Sequence, residues 1–244
     1  MPADAAPSLL YVEDLPGVGR RVTLREGESH YLARVCRARV GDRVSATDGR
    51  GALASVVLIQ AGREAVVEVE RSERSDVTRI AWALSGAPEG ERGDWMVEKL
   101  AELGVTVFQP LDCERGSWEK MKGRAERWRR VAVAALRQSR RRFLLEVREP
   151  LPVATALAAL PPETGRWLAD PSGPAASGLK PLTEGLTVGL IGPSAGLSAA
   201  ERDAAMGAGF LPISFSDSRL RTETAALAWA CWWAAPAVSG HTAS

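Results

Sequence analysis

The chain has 244 residues, of which 45% are hydrophobic and 25% charged, and its formal net charge is +1. This is the make-up of an ordinary globular protein, long enough for one large or two small domains, and it excludes a chain too polar to build a core. A balance so near neutral also excludes any argument about partners from bulk charge.

The first elements are strands. From about Leu10 to Ser72, the stretches RVTL, DRVSATDG, ALASVVLI and EAVVEVE carry β-branched residues in period two, and GD and DGRG punctuate them. The pattern predicts a small β-barrel. ESHYLARVCRARVGD interrupts it with a short helix that sets His30, Arg34 and Arg37 at turn spacing.

From about Asp76 strands and helices alternate. RIAWALS reads as a strand, GDWMVEKLAELG as a helix ending on Gly104, and VTVFQPL as the next strand. GRAERWRRVAVAALRQS is a helix with Trp128, Val131, Ala132, Ala135 and Leu136 on its apolar face. FLLEVREP is a strand, VATALAAL a short helix, and RWLAD and LTVGLIGP are strands. SAAERDAAMGAG is a helix whose Ser198 and Glu201 fit a capping box. FLPISF is the last strand, and the last helix follows, with Thr222 as its expected N-cap. The alternation predicts a mainly parallel sheet covered by helices.

Three distant cysteines without a CxxC pair, and only two histidines, argue against zinc and for a reducing, cytoplasmic compartment. MPADAAPSLL lacks the features of a secretory signal, and the apolar run 225–235 is too short to span a bilayer. Between Lys120 and Arg148 eleven basic residues face two glutamates, whereas from Glu149 onward five basic residues face eight acidic ones. A basic stripe on a neutral protein fits a polyanion docking on one face, or an Arg-rich helix in solvent.

In an open α/β sheet, ligands bind beyond the carboxyl ends of the strands. Three ends stand out: LADPSG, LIGPSAGLS and ISFSDSRLRTET. The glycine turn in the second is a weak signal and matches neither dinucleotide nor P-loop fingerprints. The third is stronger. A capped helix explains Thr222 and Glu223, but a helix N-terminus disfavours Arg219 and Arg221, so an anionic partner or a nearby carboxylate is expected.

GPSAGLSAAE, then GF, a strand and RLRTETAALA, resemble the C-terminal signature of the RsmE family, ribosomal small-subunit RNA methyltransferases that modify uridine at N3. HYLARVCRARVGDRVSATDGRG, EKLAELGVTVFQPLDCERG and RAERWRRVAVAALRQSRRR are similar to three further family segments, in order, over nearly the whole chain. The resemblance implies an α/β fold with a PUA-like β-barrel over residues 1–74 and a SPOUT domain with a trefoil knot over 75–236, while VSGHTAS itself reads as frayed and marks a disordered tail over 237–244. The resemblance also implies a homodimer, S-adenosylmethionine (SAM) as methyl donor, and 16S rRNA or the small ribosomal subunit as partner, with no membrane and no metal.

By position, the resemblance implies a SAM pocket built from three loops. The first lies near Leu168 and Ala169. The second is Ile191, Gly192, Pro193, Ser194, Ala195 and Gly196. The third includes Ile213, Phe215, Ser216 and Leu220. Arg221 and Glu223 would face the reaction, and Gln138 and Arg141 would lie near the base. Arg221 or Arg141 would stabilise the uracil anion, and Glu223 would orient that arginine or take part in proton removal. His30, Arg34, Arg37, Arg115, Arg130 and Arg137 would hold phosphates. Trp229, Trp232 and Trp233 would fill either the dimer interface or their own core.

The sequence departs from the family in two places. Gly-Pro-Ser-Ala-Gly at 192–196 stands where the family has Gly-Pro-Glu-Gly-Gly, and Ala195 falls where a positive φ is expected. Phe-Ser-Asp-Ser-Arg-Leu-Arg at 215–221 stands for Leu-Gly-Pro-Arg-Ile-Leu-Arg, with Arg219 placed to compensate for Ser218. These changes keep two rival readings open: an RNA-binding protein of the same fold that has lost SAM, and an unrelated α/β enzyme with a nucleotide cofactor.

Overall fold

Residues 9–76, 79–118, 123–182 and 184–235 are described by the computed structural model, so Lys120 and the expected tail lie outside the described residues. The chain divides into two compact units, Met1–Val77 with Val133–Leu144, and Thr78–Ala132 with Leu145–Ser244. The first unit thus includes 133–144, which the sequence reading assigns to the second domain.

In the first unit, strands β1 (Leu9–Tyr11), β2 (Arg21–Thr23), β3 (Arg43–Thr47), β4 (Ala52–Gln60) and β5 (Val66–Arg74) form one sheet in the order β1-β3-β4-β5-β2. β1 runs parallel to β3 and the other pairs are antiparallel. Alternation along β4 buries Ala52, Ala54, Val56 and Leu58 on one face, as its period-two sequence requires. β1 and β2 remain edges, so the expected barrel is an open half-barrel. Its core includes Leu10, Leu32, Val44, Val56 and Val67. The short helix is α1 (Glu26–Tyr31), continued by a wider π-type turn over Leu32–Cys36 that ends at Arg37, φ 52°.

Residues 133–144 are bonded into this unit. Gly51 N–H donates to the Arg142 carbonyl at 3.0 Å, and Leu144 N–H to that of Gly49 at 2.9 Å. Arg137 pairs with buried Glu28, and its guanidinium lies 4.4 Å from the Tyr31 ring centroid. Burial holds the Arg137 pKa below the usual arginine value.

The second unit carries β6 (Arg79–Ser85), α2 (Gly93–Leu103), β7 (Val107–Asp112), α3 (Ala125–Ser139, shared with the first unit), β8 (Glu146–Val147), β9 (Leu151–Pro152) and α4 (Val153–Ala158). It continues with β10 (Gly165–Ala169), β11 (Gly185–Ile191), α5 (Ala199–Gly207), β12 (Leu211–Ile213) and α6 (Thr222–Ala234). The sheet runs β12-β10-β11-β6-β7-β8, parallel throughout, and β9 adds to β7. β8 is far shorter than FLLEVREP predicts, because Phe143 and Leu144 are already paired in the first unit.

Phe108, Trp118 and Trp128 pack edge to face, with ring centroids 5.3–5.9 Å apart. The Trp128 indole N–H donates to Asp94 at 2.8 Å. α6 packs on α2, β6, β10 and β11. Trp229 lies against Gly189, where a Cβ would fall 2.2 Å from the indole, and Trp233 is also buried. These two tryptophans fill their own subunit's core. Trp232 is half-buried beside Trp167 and Phe215.

Candidate active site

The loops after β10, β11 and β12 meet at the carboxyl ends of those strands, around a cleft of about 220 Å³. Leu168, Ile191, Leu197 and Leu220 give it aliphatic walls, and Asp170, Arg202, Arg219 and Thr222 supply polar groups. The capping box of α5 is present: Ser198 N–H donates to Glu201 at 2.8 Å, and Glu201 N–H to the Ser198 hydroxyl at 3.2 Å. Glu201 also accepts from the Glu114 N–H at 2.8 Å, which ties this loop to the one after β7.

Residues 192–196 are seated by glycines from other elements. A Cβ on Gly86 would lie 2.5 Å from the Pro193 nitrogen, and one on Gly116 would lie 2.7 Å from its Cβ. The positive φ of this loop falls on Gly196, at 78°, whereas Arg37 and Arg140 are the non-glycine residues with positive φ among the described residues. Ala195 therefore carries no such strain, contrary to the sequence expectation. Arg219 donates to the Ser194 carbonyl at 3.1 Å, so the shifted arginine spans two of the cleft's loops.

Asp170 and Arg202 pair at 2.8 Å. Burial pushes the Asp170 carboxyl up, but hydrogen bonds from Ser172 and Arg202 outweigh it and hold the pKa below the ordinary 3.8. A depressed folded-state pKa stabilises the fold above the unfolded value, and that contribution is lost as pH falls through the folded one. Native protein should therefore be more stable than Asp170→Asn at neutral pH, with the gap narrowing below pH 3.8 in urea unfolding. A gap constant down to acid pH would refute this. The neighbouring Cys113 thiol is pushed up to about 12, first by burial and then by Glu201 and Asp112, so it is no nucleophile at neutral pH.

Of the sequence-predicted pocket residues, Leu168, Ala169, Ile191, Gly192, Pro193, Ser194, Gly196 and Leu220 line the cleft. The others do not. Ala195 is exposed, Ile213 is buried in β12, Phe215 packs on Trp232, and the Ser216 hydroxyl accepts from the Ser218 N–H at 3.1 Å. Asp170 and Arg202, which line the cleft, were not anticipated; their 32-residue separation carries no local signal.

Thr222 is not the N-cap of α6. Arg221 takes the cap conformation (φ −72°, ψ 158°), and the Thr222 hydroxyl instead donates to the Gly192 carbonyl at 3.0 Å. Arg221 is exposed. Glu223 is buried and bound to Arg92 at 2.7 Å, a partner that sequence reading missed. Gln138 and Arg141 belong to the first unit; Gln138 is exposed, and burial lowers the Arg141 pKa. His30, Arg34, Arg37, Arg115 and Arg130 are exposed, as phosphate contacts must be. Arg137 is not among them, because Glu28 and Tyr31 hold it. The basic stripe is thus interrupted by arginines paired inside the protein.

A family model described as RNA methyltransferase domain matches residues 74–234, and one described as RNA methyltransferase PUA domain matches 24–70. Ribosomal RNA small subunit methyltransferase E of Synechocystis sp. is 29% identical over 84% of this chain and 69% of its own length. The crystal structure of its namesake from Neisseria gonorrhoeae, bound to S-adenosyl methionine, superposes with a TM-score of 0.80 at 27% identity, covering 92% of this chain and 95% of that one. A probable rRNA-methyltransferase from Porphyromonas gingivalis gives 0.80 at 30% identity, covering 92% and 96%. A half-barrel of PUA type, a SPOUT-type parallel sheet and a cleft at three of its strand ends therefore place this chain in the RNA methyltransferase family, among the RsmE proteins.

Proposed function

We propose that the chain methylates N3 of a uridine in 16S rRNA, using SAM. The observation that carries this is the three-loop cleft at the strand ends, with the exposed Arg221 lying in the chain between its lining residues Leu220 and Thr222. Aliphatic walls suit a flat base, and the glycine-seated turn at 192–196 exposes backbone groups that can hold it. Ser194 and Ala195 fit the loop without backbone strain, so nothing favours the reading in which SAM is lost.

SAM would supply an electrophilic sulfonium methyl. Uridine N3 carries an imide proton and attacks only once that proton leaves, so negative charge grows on the base oxygens. Arg221 is the exposed cation for that charge. N3 is normally paired, so the nucleotide must be unpaired or flipped out. His30, Arg34, Arg37, Arg115 and Arg130 grip phosphates, and Gln138 and Arg141 contact the base as the family resemblance implies. Residues 1–74 act as the RNA-holding domain and 75–236 as the methyltransferase, in a cytoplasmic homodimer.

Calorimetry with SAM and S-adenosylhomocysteine should show micromolar binding near one site per chain. The protein should then methylate small subunits that lack the modification, and RNA binding should weaken steeply with salt. No SAM binding with RNA present, or methylation at another atom, would overturn the reading.

A further inference from the structure

Glu223 sits in the second position of α6, where its carboxylate suits the helix dipole. A dipole-matched glutamate needs no burial, yet this one is only 4% exposed. One oxygen is bound by Arg92 at 2.7 Å, and the other is buried without a hydrogen-bond partner among the described residues. Burying an unpartnered acceptor costs about 1–3 kcal/mol. A proton acceptor must reach the proton it takes, and neither oxygen of this carboxylate is open to a substrate.

Arg92 is different. It is the N-cap of α2, and its side chain is 44% exposed despite the ion pair. One of its nitrogens is held from behind, which leaves the rest of the planar guanidinium available in a fixed orientation. The pair also joins the N-terminus of α2 to that of α6, whose own cap is the exposed Arg221. Two helix N-termini, one capped by Arg92 and the other by Arg221, are therefore joined through one buried carboxylate, while Asp94 in the first turn of α2 is taken up by Arg124, Arg127 and Trp128. That arrangement is preorganised for charge that appears on a substrate during reaction.

We propose that Arg92 is a catalytic residue that contacts the uracil as negative charge develops on it, and that Glu223 is its positioning residue, not the base. The inference rests on the methyltransferase reading above. It assigns Glu223 one of the two roles the sequence left open, with Arg92 as the arginine it orients.

The test uses native protein, Arg92→Ala, Arg92→Lys, Glu223→Gln and the Arg92→Ala/Glu223→Gln double variant, with single-turnover methylation of unmodified small subunits. Arg92→Ala should lower the rate by about 10²-fold, as loss of one transition-state donor does. Arg92→Lys should recover part of it. The double variant should be no worse than the worse single variant, since both remove one unit. The acidic limb of the pH–rate profile should persist in Glu223→Gln; a base would take that limb with it. Bound subunit should shield Arg92 from phenylglyoxal, a readout independent of turnover. SAM affinity and melting temperature serve as controls for folding. Arg92→Ala within about twofold of native, loss of the acidic limb in Glu223→Gln, or unshielded Arg92 each overturns the inference while native methylation stands. Native protein that does not methylate overturns both readings together.

Discussion

A Gly86→Ala protein is expected to bind SAM at least about tenfold more weakly than native, a loss of about 1.4 kcal/mol. The new methyl would lie 2.5, 2.7 and 2.8 Å from the Pro193 nitrogen, Cδ and Cα. These are backbone and ring atoms, which cannot turn aside as the end of a long side chain can. Gly86 cannot retreat either, because its N–H donates to the Ile191 carbonyl at 2.9 Å, and the Ser194 N–H is bonded to the Ala87 carbonyl at 3.3 Å. The loop over 192–196 must move, and it forms one wall of the cleft. Overpacking of this kind also lowers stability by about 1–3 kcal/mol. Gly207→Ala is the control: nothing lies within 4 Å of its Cβ, so binding should be unchanged. Calorimetry and urea unfolding check both, and native affinity in Gly86→Ala would refute the seat at Pro193.

Arg221→Ala should cut turnover by about 10²-fold, the usual cost of one donor to developing charge. Its effect on folding should have the opposite sign. Arg221 caps α6, where the positive end of the helix repels a cation, and its removal should leave stability unchanged or slightly raised. The residue is thus held against the preference of its own helix. SAM affinity should stay within about twofold, because Arg221 is not among the residues lining the cleft. Equal losses in SAM affinity and turnover would remove Arg221 from its assigned role.

Features set by neighbouring residues were readable in the sequence. The alternation in ALASVVLI placed β4, Ser198 and Glu201 placed the start of α5, and Gly104 (φ 87°) ended α2. Features set by distant partners were not. Thr222 has the chemistry of an N-cap, but a carbonyl at Gly192 claims its hydroxyl. Glu223 resembles a dipole-matched surface glutamate until Arg92, 131 positions away, is found beside it. Gly86 and Gly116 look like turn glycines; that both make room for one proline is visible only once three loops are folded. The family motifs located the cleft, yet the shift of an arginine from 218 to 219 acquired meaning only through its bond to the Ser194 carbonyl.

The placing of residues 133–144 in the first unit has a consequence for the order in which the protein is made. The half-barrel strands leave the ribosome first, but the carbonyl that accepts from Gly51, the N–H that Gly49 accepts and the cation that pairs with Glu28 arrive only with 137–144. A nascent chain that ends before α3 holds Glu28 without the arginine that pairs with it. The first unit therefore waits for more than half of the polypeptide, and by then β6 and β7 of the second unit's sheet have been synthesised while β8 to β12 have not.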